Sequence, residues 1–341
     1  MHMADALISP AVGGTMMAAT ACVAAYSIKK VKNDLDDKKI PLMGVMGAFV
    51  FASQMINFTI PATGSSGHLA GGMLLAILLG PYAGFLTMAS ILLIQALFFG
   101  DGGLLAYGCN VFNLGFYTCF IAYPLIYKWM TRKGLTSGRI FRASMISAIV
   151  GLQLGSFSVV LETLFSGKTE LPFSTFVLLM QPIHLAIGIV EGLVTAAVVT
   201  FVWKARPEIL ERTAIGETLG SIPIKKVITV ILVAAIMIGG FVSWFASSNP
   251  DGLEWSMERT AGTAELEASG SVHDFLANIQ SKTAFLPDYS FKTEAEGEAG
   301  SYTGTSVSGI VGGALTLGLA GLIGLIIGVF KKKKTKIVQQ Q

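Results

Sequence analysis

Residues 69–100 read LAGGMLLAILLGPYAGFLTMASILLIQALFFG, apolar almost throughout and broken once, at GPYAG. A bilayer core of about 30 Å needs a helix of about 20 apolar residues. The second half, 82–99, is long enough to cross. The first, 69–80, is short and reads as a partial or tilted span, or one shielded by protein. Further apolar runs lie at about 8–28, 41–60, 105–127, 140–165, 174–203, 224–247 and 306–330. The expected fold class is therefore all-α, a polytopic membrane helical bundle of about nine hydrophobic segments. Composition agrees, with 52% of the 341 residues hydrophobic and 13% charged, and a mean hydropathy of +0.65. Soluble domains carry about 25% charged residues, so a large soluble enzyme is excluded.

Charge placement orients the bundle. The stretches 29–39, 128–142, 204–226 and 331–336 carry five Lys or Arg residues each, 20 of the 24 in the chain. With nine crossings all four fall on one side, which the positive-inside rule makes cytoplasmic. The N-terminus is then expected outside and the C-terminus inside. The segment 248–305 is acidic and rich in Gly and Ser. Such a segment buries little core, so a small, loosely structured extracytoplasmic loop is expected there. The chain divides near residue 215 into a seven-span unit, 1–215, and a two-span unit, 216–341. Cys22, Cys109 and Cys119 lie in apolar runs without a Cys-x-x-Cys pair. They read as small buried hydrophobes, with no zinc site or disulfide framework.

The chain opens MHMADALISP, with no Lys or Arg before residue 29. A secretory leader needs a positive start, so this N-terminus is expected to be kept. A histidine at position 2 then gains special geometry. The Met1 amine, the deprotonated peptide nitrogen of His2 and the His2 imidazole can chelate one ion in fused five- and six-membered rings. The fourth place in that plane is open to His68, which maps to the same outer side. Four planar nitrogens suit Ni(II) or Cu(II), with Co(II) less well matched. Asp5 either orients a ring nitrogen beside this chelate or caps the first helix.

Several long motifs in order resemble a known family. The opening, then NFTIPATGSSGHLAGGMLLAILLGPYAG, QALFFGDGGLLAYGCNVFNLG and QPIHLAIGIVEGL, resemble the CbiM/NikM proteins. These are the substrate-binding membrane subunits (S components) of energy-coupling-factor nickel and cobalt importers. The segment SSNPDGLEW, followed by LPDYSF and a final apolar span, is similar to the PDGLE-type companion subunit (NikN/CbiN-like), here fused. The resemblance implies a metal held by Met1, His2 and His68. Ala4 and Ala6 stand where many members have Pro and Gly, which removes no ligand.

Other buried polar residues leave two readings open. His184 and Glu191 share one face of the seventh span with Gln181. Intramembrane ionisable groups face the protein interior. They serve either metal transit and support of the ligands, or interhelical hydrogen bonds. Asn113, Asn110 and Gln95 admit the same pair, and Asn113 lies within reach of the loop carrying His68. Asp101, in GDGG, reads as part of a tight turn, and His273 as a solvated side chain. Glycine-rich spans offer faces for close helix packing.

SGKTE at 166–170 lacks the glycine five residues earlier that a phosphate loop needs. No ATP site is present, so active import requires separate ATPase subunits and a coupling transmembrane (T) component. The expected function is metal import, of Ni2+ ahead of Co2+, in the prokaryotic cytoplasmic membrane. Membrane lipid is the other partner; no nucleic acid and no organic cofactor are expected. An intramembrane metal-dependent enzyme is the competing class. It would want an open metal position and a base such as His-Glu-x-x-His, which is lacking.

Overall fold

The computed structural model describes residues 2–264, 266–291 and 302–339, with side chains as far as 331. Met1 lies outside the described residues. So do Glu265, Lys292, Glu294, Glu296 and Glu298 of the acidic segment, and the side chains of Lys332, Lys333, Lys334 and Lys336.

Among the described residues, six helices are long and apolar enough to cross a membrane. They are α1 (Pro10–Val31), α4 (Pro81–Phe99), α5 (Tyr107–Thr131), α6 (Ser137–Phe165), α7 (Phe173–Ala205) and α12, whose crossing part is Tyr302–Lys331. Three other expected spans form shorter helices, α2 (Lys39–Gln54), α3 (Gly72–Leu79) and α9 (Lys225–Gly240). A short amphipathic helix, α8 (Pro207–Ile215), links α7 towards α9. Two more, α10 (Gly252–Ala261) and α11 (Ser271–Thr283), lie between α9 and α12.

Packing explains the short elements. Every residue of α3 is buried, so its eight residues need not span lipid: protein satisfies the backbone around it. α2 stops at Gln54, short of the expected 60, because the chain turns into a small antiparallel hairpin. Its strands are β1 (Phe58–Ile60) and β2 (Ser65–Gly67), paired Phe58 to Gly67, Thr59 to Ser66 and Ile60 to Ser65. α9 and α12 both pack on α2. Their glycines are used inside the chain: Gly239 meets Gly309, and a side chain at Gly312 would collide with the Phe51 ring. Outward-facing side chains are apolar, among them Leu178 (72% exposed), Phe157, Leu193, Val233 and Leu325. In water such a surface would be a large sticky patch; on these helices it is the lipid face. Cys22 is exposed on α1 rather than buried, because little of α1 is covered by the rest of the bundle.

The acidic segment departs most from expectation. Its described residues 248–264 and 266–291 fold onto the bundle instead of forming a loose loop. Asp251 caps α10: its carboxylate accepts the Leu253 and Glu254 N–H groups, and Glu254 reaches back to the Asp251 N–H. Leu253, Met257 and Leu286 are buried. Gln280 donates to the Ala96 and Gly102 carbonyls at 2.9 and 2.8 Å. His273 is likewise buried, its Nε2–H donating to the Ile8 carbonyl at 2.9 Å. A few apolar anchors and satisfied backbone groups thus outweigh the polar composition.

Candidate metal centre

Three chain segments meet at the centre. The first is the N-terminal strand of chain before α1. Met3 is fully buried, and Asn110 clamps its backbone from both sides. The Met3 N–H donates to Asn110 Oδ1 at 2.8 Å, and Asn110 Nδ2 donates to the Met3 carbonyl at 3.1 Å. Asp5 neither caps α1 nor reaches the His2 ring. Ser9 supplies the cap, while Asp5 Oδ1 accepts the Ala106 N–H at 3.0 Å and ties the thread to the start of α5.

That clamp leaves His2 facing Asp101. The His2 Nδ1–H donates to Asp101 Oδ1 at 2.9 Å, and the Tyr289 hydroxyl donates to Asp101 Oδ2 at 2.5 Å. Burial alone would raise the Asp101 carboxyl. The His2 ring and the two hydrogen bonds outweigh it and hold the group well below the usual carboxylate range. The turn reading of GDGG stands for Gly100 and Gly102, both left-handed, yet Asp101 also orients a histidine.

The second segment carries His68, directly after β2. Glycine is required at 67 because a side chain there would run into Ile187 of α7. Glu191, buried on the same helix, accepts the Ala70 N–H at 2.9 Å and the Gly71 N–H at 3.1 Å. Its carboxylate therefore fixes the turn from His68 into α3, where Gly71 adopts a left-handed φ of 77°. The His68 Nδ1–H donates to the Leu69 carbonyl at 3.2 Å. A carbonyl only accepts, so the lone pair of the neutral ring sits on Nε2. Burial pushes His68 below its ordinary value and favours that neutral form. The His2 and His68 rings stack, with centroids 5.0 Å apart and planes 11° from parallel.

The third segment comes from α10. Asp251 Oδ2 lies 3.8 Å from His68 Nε2. The Ser66 N–H donates to the Pro250 carbonyl at 2.8 Å, Ser66 Oγ to the Asn249 carbonyl at 2.8 Å, and Trp255 Nε1 to the Thr63 carbonyl at 3.0 Å. The hairpin carrying His68 is thus roofed by chain more than 180 residues later in the sequence.

Asp251, Tyr289 and Glu162 were missed by sequence reasoning. An Asp followed three residues later by Glu is a legible capping signal in PDGLE, but nothing local shows that this cap sits on His68. Asn113 is turned away from the His68 loop: its Nδ2 donates to Glu162 Oε2 at 2.7 Å and lies 3.8 Å from Met3 Sδ. The His184 Nδ1–H donates within its own helix, to the Met180 carbonyl at 2.7 Å. Among the described residues, no three His, Cys, Asp or Glu side chains stand close enough to hold an ion by themselves.

Comparisons with known proteins agree on transport. Residues 225–328 match the PDGLE domain. A fused NikMN protein of Archaeoglobus fulgidus, named for nickel transport, is 31% identical over 94% of this chain and 96% of its own. The fused nickel transport protein NikMN of Rhodobacter capsulatus is 34% identical over 62% of this chain and 64% of its own. The cobalt transport protein CbiM of Geobacter sulfurreducens is 28% identical over 69% of this chain and 68% of its own. A crystal structure of a truncated transition metal transporter superposes with a TM-score of 0.54 at 32% identity, covering 60% of this chain and 99% of that one. Residues 2–209, more than half of the chain, match the family described as the CbiM cobalt uptake substrate-specific transmembrane region, and this protein belongs to that family.

Proposed function

We propose that this protein is the substrate-binding membrane component of an energy-coupling-factor importer, with Ni2+ as cargo ahead of Co2+. The observation that carries the reading is the meeting of His2 and His68, brought face to face from separate segments. With Met1 as the first residue of the mature chain, four nitrogens hold the ion. They are the Met1 amine, the His2 peptide nitrogen, His2 Nδ1 and His68 Nε2. His2 Nδ1 now donates to Asp101, so loading exchanges that hydrogen bond for the metal. Binding also strips the peptide proton, so affinity falls as pH is lowered.

Residues 1–215 act as the metal-binding unit and 216–341 as its companion. The positive-inside rule supports an outside N-terminus and a cytoplasmic-membrane location. Separate ATPase subunits and a coupling transmembrane component supply the energy. The planar donor set favours nickel over cobalt, and the fused NikMN relatives are named for nickel, whereas the CbiM relative is named for cobalt. The test is equilibrium Ni2+ titration of His68→Ala in detergent, beside Co2+ competition on the unaltered chain. Losing a ligand is expected to weaken Ni2+ binding more than about 100-fold, beyond the range for supporting residues. Unchanged affinity in a folded His68→Ala protein removes His68 from the site.

A further inference from the structure

A small cavity of about 10 Å³ lies between His68 and His184, lined also by Gly67, Leu114, Leu152, Ile187, Asp251 and Gly252. That is roughly the space of one water molecule, and a bare divalent ion needs less. His184 is 1% exposed. Because its Nδ1–H is committed to the Met180 carbonyl, the lone pair of the neutral ring is on Nε2, and that atom is buried with no hydrogen-bond partner. A buried acceptor left unmatched is costly, so a matching partner is favoured there. His68 also has its Nδ1 on a carbonyl and its ring lone pair on Nε2, 3.8 Å from Asp251 Oδ2. Asp251 brings a carboxylate to the same space. Gly252 keeps the space open: a Cβ there would collide with Ile183 and come within 3.3 Å of His184 Cε1.

We propose that this cavity is a staging position for the transition-metal cation, bounded by His184, His68 and Asp251, from which the ion is passed to the His2–His68 site. Two imidazoles and one carboxylate suit a borderline divalent metal. The position shares His68 with the main site, so a single ion occupies one or the other. Its donors are fewer and stand too far apart to grip an ion without moving inward. That keeps the position weak, and a position on a transfer path must release what it binds. The roof segment supplies Asp251 and Gly252, so the staging position lies against the roof. This inference rests on the proposed function of the His2–His68 pair.

The test uses full-length chain in detergent, with Ni2+ as the probe. In His2→Ala the main chelate is lost, and weak residual binding is expected at the staging position. Adding His184→Gln should weaken that residual binding about tenfold or more, a change of about 1.4 kcal/mol. X-ray absorption of nickel-loaded His2→Ala should count two imidazole ligands. That measurement leaves His184 unaltered and decides the matter even if His184→Gln fails to fold. No residual binding in His2→Ala, one imidazole only, or equal binding in the single and double variants overturns the staging position and leaves the cavity to water. The main-site reading fails separately, if His2→Ala binds as tightly as the unaltered chain; His184 dependence still decides the staging position in that case.

Discussion

Glu191 shows how one side chain can fix the turn that carries a proposed ligand, His68, from a distance. Its two oxygens hold the Ala70 and Gly71 N–H groups, two and three residues beyond His68. In Glu191→Gln one acceptor becomes an NH2 group facing an N–H, and a buried backbone donor loses its partner. The expected cost is about 1–3 kcal/mol of stability, read by thermal unfolding. Ni2+ affinity should fall about tenfold, the lower end for residues that orient a ligand. A Gln variant that binds Ni2+ as the parent does would separate Glu191 from the positioning of His68. At this scale the sequence was legible where chemistry is local. A histidine at position 2 and another in GSSGH declare themselves as nitrogen donors. Glu191 reads only as a costly buried carboxylate, because its partners lie 120 residues away. Asp101 looked like turn chemistry, since its second task depends on where the N-terminal thread runs.

The N-terminal thread is an element in its own right, although it has no regular structure before Asp5. Asn110 pins Met3 at both backbone groups, so the distance from the clamp back to His2 is set. One alanine inserted after Met1, giving Met-Ala-His, keeps every side chain but changes the chelate rings. Ni2+ binding should weaken about as severely as on loss of His2, with an altered d–d spectrum. Parental affinity, spectrum and His68 dependence in that variant, measured together, would rule out the amino terminus as a ligand. The helices were legible from length and apolarity. The hairpin was not: strands of three residues are too short for a period-2 pattern to emerge. The roof was misread for a related reason, since composition averages over the few residues that anchor it. Leu253, Met257 and Leu286 vanish within an acidic stretch, yet all three are buried.

For the whole molecule, orientation and energy supply can each be checked. Ser269 is exposed between α10 and α11. A cysteine there is expected to react with an impermeant thiol reagent in intact cells, with the unaltered chain as control. Labelling only after lysis would place the roof on the cytoplasmic side and reverse the proposed topology. Vesicles holding only this chain should bind Ni2+ but not concentrate it against a gradient, with or without ATP. ATP-driven accumulation by the chain alone would contradict the need for ATPase and coupling subunits. Charge counting gives an expected sidedness, but it could not reveal that the last two apolar helices, α9 and α12, pack on α2, with residues between them lying over His68.

The roof over His68 is joined covalently to the hairpin it covers, through α9 and the rest of one polypeptide. Its contacts at Ser66 and Thr63 are therefore intramolecular. A linked partner acts at a local concentration of about a millimolar, so dilution does not strip the roof away. Any separation of the two would be a first-order event whose rate does not depend on how much protein is made. Expression imbalance between the segment carrying His68 and the segment that roofs it, a hazard when two such parts are separate gene products, cannot arise in this chain.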